Sequence, residues 1–222
     1  MELFQRRIGM LYTVYFIAVF IFSIICHEVA HGWAALRAGD DTAKNAGRLT
    51  LRPGSHIDPV GSILLPGLLI LTGMHFVIGW AKPVPVDARN FRKYRSGMFW
   101  VSFAGIATNF LIAGIGVLIW RTLDLVLASF MGAGIYPFIF ANIVLGVFNL
   151  LPIPPLDGSR LFGSLFGIPA SFMQKIERFG FFILLYLFIY SFFFNARLLN
   201  NFFKLIFTLL SWLIGLDIEL TT

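Results

Sequence analysis

Cysteine occurs once in 222 residues, as Cys26. A single thiol can form no internal disulfide and no cysteine-based zinc cage, and next to His27 it reads as a small apolar filler. Charge is almost as scarce. Asp, Glu, Lys and Arg make up 13% of the chain, against about 25% in an ordinary soluble domain, and that class is excluded. Low-complexity tracts, internal repeats and an acidic tail are also lacking. Arg6 and Arg7 precede an apolar run that has no small-residue cleavage site and continues into polar residues. The run is therefore expected to be a retained span, not a signal peptide.

What is there is greasy: 58% hydrophobic and 17% aromatic residues. Several apolar runs of about 15 to 20 residues point to an all-α polytopic membrane protein. About five to six transmembrane helices are expected in a single membrane-embedded domain, 1–222, with no appended soluble module. The net charge of +6 could suggest nucleic acid, but the basic residues flank apolar runs, which is how membrane orientation is encoded. No nucleic-acid partner is expected; the bilayer is.

The first helix is expected over 8–36, with Gly39 as its stop. "RLTL" (48–51) alternates like a brief strand. Residues 60–79 are apolar but broken by Pro66, Gly67 and Gly73, a short strand and re-entrant region after the first helix. Spans are expected over 98–120, 135–150, 181–194 and 199–214, and residues 168–180 read as an amphipathic interfacial stretch.

Inside the first apolar run lies His27-Glu28-Val29-Ala30-His31. Residues four apart share a helix face, so both imidazoles can grip one metal ion while Glu28 takes a proton from water. His31 lies about 9 Å and His27 about 15 Å before Arg37 along the helix. That is below the membrane surface, where ionisable groups are costly and usually functional. The bland alternative is a group of polar residues satisfied by neighbouring helices.

A catalytic zinc site takes three protein ligands and one open position. Asp157 is the best third candidate, because the prolines of "LLPIPPLDG" prevent a regular helix and Gly158 permits a turn. Its rival role is an N-cap for a helix starting at Ser159. Glu177 sits between Lys175 and Arg178 and reads as solvated. His56 and His75 read as hydrogen-bonded interfacial histidines or, less readily, as ligands.

"HEVAH", "GRLTLRPGSHIDPVGSILLP", "GWAKPVPV", "SFAGIATN" and "FNLLPIPPLDGSR" together resemble the site-2 protease family of zinc intramembrane proteases, in its compact form without PDZ or CBS domains. The resemblance covers about residues 20–165. It implies one Zn2+ per chain held by His27, His31 and Asp157, with Glu28 as the catalytic base. It further implies that Asn149 and Asn109 contact substrate or the developing oxyanion, and that Arg48, Leu49, Thr50 and Leu51 form an edge that pairs with unwound substrate. Both asparagines could instead join helix–helix hydrogen bonds. Two departures stand out: Ile106 replaces a usual proline, and "PPLDG" replaces the commoner N-P-D-G. The catalytic core is then about 8–165, followed by C-terminal helices over about 170–216.

If Asp157 joins the histidines, the first helix and the span ending near Leu150 must leave the membrane on one face. An even number of crossings must separate them, so one of three apolar segments fails to cross, and 60–79 is the candidate. In that arrangement 12 of the 17 basic residues share the active-site face, leaving Arg6, Arg7, Arg121, Arg197 and Lys204 opposite. The positive-inside rule then opens the active site toward the cytoplasm of a multi-pass cell-membrane protein. The expected reaction is hydrolysis of a peptide bond in or near the transmembrane segment of a membrane-anchored protein, and the resemblance implies regulated intramembrane proteolysis. The rival is a metal-ion transporter using the His/Glu cluster as a transit site.

Overall fold

The computed structural model describes residues 2–72, 81–127 and 132–193, together with Asn201, Lys204, Leu205 and Thr208. His75 and nearly all of the expected 199–214 span lie outside the described residues. The chain divides into two units, Met1–Asn109 and Phe110–Thr222.

In the first unit, α1 runs Glu2–Ala38. It has no internal proline, and Gly39, at φ +114°, ends it where the sequence placed the stop. Its Leu11–Ala38 portion is long and apolar enough to cross a membrane, as is Tyr94–Thr122 of α4 (Tyr94–Leu127). The first helix thus begins earlier, and the second extends further both ways, than the hydropathy pattern suggested. Large apolar side chains along α1, Leu11, Val14 and Ile17 among them, are exposed, as lipid-facing residues are.

The end of α1 is tied down by one carboxylate. Asp40 is fully buried and accepts from Thr42 N and Oγ1, from Asp87 N at 2.7 Å and from Asn90 Nδ2 at 2.8 Å. Burial opposes its ionisation, but these donors together hold the carboxyl below its usual range. Arg92 N also donates to Ala38 O at 2.9 Å, so residues 87–92 are fastened against α1. Ala35, Phe91 and Val101 form a small core beneath them.

A short α2 (Thr42–Asn45) follows, then a 3-10 turn, Pro53–Ser55. Asp58 caps a π-helical stretch, Pro59–Leu64, by accepting from Val60 N and Gly61 N, and this stretch runs on into α3 (Leu65–Leu71). Residues 73–80 of the expected re-entrant segment lie outside the described residues.

The expected "RLTL" strand is not formed, and no strand occurs among the described residues. The reason is local hydrogen-bond accounting. Arg48 N donates to Ala43 O at 2.9 Å, and Thr50 O is taken by His56 Nε2 at 2.7 Å. One edge of the segment is already spent on its own neighbours.

In the second unit, α5 (Gly132–Leu150) packs Ile139 and Ile143 on Ala113 of α4. Residues 151–156 are irregular, with a cis Pro154–Pro155 bond. Then α6 (Asp157–Phe166) begins, with Leu156, not Asp157, at its N-cap. The helix starts two residues before the expected Ser159. α7 (Ala170–Phe193) joins into one helix what the sequence suggested as an interfacial stretch and a separate span. Arg160 on α6 clamps Glu177 on α7 through Nε–Oε1 at 2.7 Å and Nη2–Oε2 at 3.0 Å.

Candidate metal centre

His27 and His31 are both buried on the face of α1 that meets the first half of α4. Two α4 features receive them. At Gly105 even a Cβ would lie 2.4 Å from His31 Cε1 and 2.7 Å from His27 Cε1, so a hydrogen at this position is what lets the helix backbone approach the imidazoles. One turn to either side, α4 supplies an acceptor for each ring.

Those acceptors set the tautomers. His31 Nδ1 lies 2.7 Å from the main-chain oxygen of Val101. A carbonyl only accepts, so Nδ1 carries the proton and Nε2 presents its lone pair. His27 Nδ1 donates in the same way to Asn109 Oδ1 at 2.6 Å, and Asn109 is fully buried. The two Nε2 atoms converge to 2.8 Å. In neutral rings this brings two lone pairs together, a repulsive arrangement that a shared cation relieves. The donor set therefore fits a borderline-soft divalent ion such as zinc, bound through Nε2 with each Nδ1–H held by an outer partner.

Glu28 is half-buried, and its Oε2 accepts from the backbone N–H of Val84 at 2.8 Å. It meets a different partner from the neighbouring histidines. Asp157 opens α6 in the second unit, half-buried. Its position depends on Gly158, where a Cβ would fall 2.2 Å from Leu150 O and 2.4 Å from Leu151 O. Those are backbone atoms that cannot move aside cheaply, so this turn requires glycine. A carboxylate in the first turn also suits the positive end of the helix dipole.

The remaining candidates have these partners. Glu177 is engaged by Arg160. His56 is buried and bonded to Thr50 O, the hydrogen-bonded role expected of it. Asn149 donates to Leu145 O on its own helix at 3.0 Å. Asn109 is the partner of His27, the helix–helix hydrogen bond that was one of its two expected roles. Arg48 is buried with its Nη2 on Lys82 O and Pro83 O, Leu49 and Thr50 are half-buried, and Leu51 is exposed.

The sequence reading missed Val101 O, Gly105 and Val84 N–H. Gly105 had a signal, a glycine inside an otherwise well-formed span; the two backbone groups had none. Because Asn109 fixes the tautomer of one candidate ligand, Asn109→Ala is expected to weaken zinc affinity by about 10- to 100-fold. Competition against a zinc chelator of known affinity measures this.

Residues 124–188 match peptidase family M50. The chain is 39% identical over 184 residues to a Bacillus subtilis protein named "Putative zinc metalloprotease YwhC", covering 79% of this chain and 80% of that one. It is 34% identical over 146 residues to Rip2 of Mycolicibacterium smegmatis and 32% identical over 142 residues to Rip2 of Mycobacterium tuberculosis, both carrying the same zinc metalloprotease designation. Each alignment covers 64% of this chain but 53% of the Rip2 protein, so the chain spans about half the length of those relatives. No solved structure matches. The names give no support to a metal transporter. Sequence identity over most of the chain, and a paired-imidazole site of the right chemistry, make this protein a member of peptidase family M50, the site-2 proteases, and a zinc metalloprotease.

Proposed function

We propose that this protein is an intramembrane endopeptidase that cleaves membrane-spanning protein substrates within or beside their transmembrane segments. The observation that carries the reading is the site's location. Two imidazoles with converging Nε2 atoms, and Glu28 beside them, sit on a helix apolar enough to cross a membrane. Asp157 is the proposed third ligand. Its place at a glycine-dependent turn, the donor count of catalytic zinc sites and the pairing of Glu177 with Arg160 support it. Zinc, when bound, acidifies water and polarises the scissile carbonyl.

The chain's own residues do the rest. Glu28 accepts a proton from the attacking water and delivers it to the departing amide nitrogen. Val84 N–H holds Oε2 while this happens. Asn149 has a second amide N–H beyond the one on Leu145 O and is proposed to donate to the developing oxyanion. A helical substrate hides its carbonyls, so it must unwind at the cleaved bond. With Arg48 and Thr50 committed internally, the backbone of Leu49 and Leu51 is left as the proposed docking edge. In the arrangement expected from the sequence, 12 of the 17 basic residues share the active-site face, which supports an active site opening toward the cytoplasm. Release of a membrane-anchored factor, as in regulated proteolysis, is the proposed consequence.

The test is reconstitution in vesicles with a protein bearing one transmembrane segment. Cleavage should stop with a zinc chelator and return on adding zinc. Chelator-insensitive cleavage, or zinc flux across the vesicle without cleavage, contradicts the reading.

A further inference from the structure

Lys82-Pro83-Val84-Pro85 has unusual backbone chemistry. Proline has no N–H, so Val84 carries the one main-chain donor in 83–85. The residue before a proline is driven to extended conformation, which stiffens both Lys82 and Val84. The result is a rigid extended strap, outside any helix or strand, with one donor. That donor is spent on Glu28 Oε2 at 2.8 Å.

What holds the strap is a buried cation. Arg48 is 7% exposed, and its Nη2 donates to Lys82 O at 2.7 Å and Pro83 O at 3.2 Å. Among the described residues its partners are two main-chain carbonyls, not a carboxylate, and its Nε is buried with no partner among them. Burying a guanidinium is expensive, and its hydrogen bonds go to the two carbonyls just before the donor that meets Glu28. Lys82 N adds a second tie, to His56 O at 2.9 Å.

We propose that Arg48 is a positioning residue for the Glu28 carboxylate, acting through the backbone of residues 82–84. The proposal rests on Glu28 being the general base. Arg48 fixes the strap, the strap aims Val84 N–H, and that N–H fixes one carboxylate oxygen so that the other meets water in a single orientation.

Three variants test it. Arg48→Met removes the donors at similar length, Arg48→Lys keeps the charge but loses the fork, and Val84→Pro deletes the N–H while keeping extended backbone. Arg48→Met and Val84→Pro should lower kcat by about 10- to 100-fold, with KM and zinc content held within about twofold, and Arg48→Lys should fall between them and wild type. Without zinc, Arg48→Met should also speed hydrogen exchange of the Val84 amide about tenfold or more. A peptide over 83–85 reports that amide alone, since both flanking residues are prolines.

Unchanged kcat and unchanged exchange in Arg48→Met overturn the proposal. So does a rise in KM at constant kcat, which would put Arg48 on the substrate. Should Arg48→Met not fold, unchanged kcat in Arg48→Lys and Val84→Pro overturns it equally. Glu28→Gln separates the two levels. If that variant keeps full rate, the base assignment fails; if it loses rate while Arg48→Met does not, the positioning role alone fails.

Discussion

Glu28→Gln should keep zinc at the wild-type content and lower kcat by about 100- to 10,000-fold. Glutamine matches glutamate in shape, and its Oε can still accept from Val84 N–H at the observed 2.8 Å, so the strap and the helix are undisturbed. What disappears is basicity. The histidines keep their own outer partners, Asn109 and Val101 O, and neither contact passes through Glu28. Metal analysis and cleavage rate measured on one preparation decide the matter. A full rate would remove Glu28 from the chemistry, and lost zinc would make it a ligand.

Asp157→Ala should reduce zinc to below about one tenth of the wild-type content, because a site left with two imidazoles falls short of the three protein ligands catalytic zinc requires. The substitution leaves the start of α6 in place. Alanine is a good helix former, Leu156 remains the N-cap, and the close approach at Gly158 is untouched. Glu177→Ala is the matching control. Its carboxylate is committed to Arg160 through bonds of 2.7 and 3.0 Å, so zinc should stay. Full zinc occupancy in Asp157→Ala would reject the proposed ligand set.

The features legible in the sequence were those fixed by local spacing. That His27 and His31 share one helix face follows from the helical period, and the end of α1 follows from Gly39. What escaped depended on distant partners. The "RLTL" strand failed because Ala43 O and His56 Nε2 claim its hydrogen-bonding groups, and alternation says nothing about who owns a backbone edge. For Asn109 a helix–helix hydrogen bond was one of two open readings, and its partner, His27, could not be named because it lies 82 residues away. α7 was divided because composition changes from charged to apolar near residue 180, yet no proline breaks the helix there.

The central claim is one zinc ion shared by His27, His31 and a carboxylate. Zinc-edge X-ray absorption on the purified wild-type protein tests it most directly. The expected spectrum has two imidazole rings and additional oxygen ligands, all at about 2.0–2.2 Å. A sulfur shell at about 2.3 Å, which would bring in Cys26, or a metal lacking imidazole scattering, would contradict it.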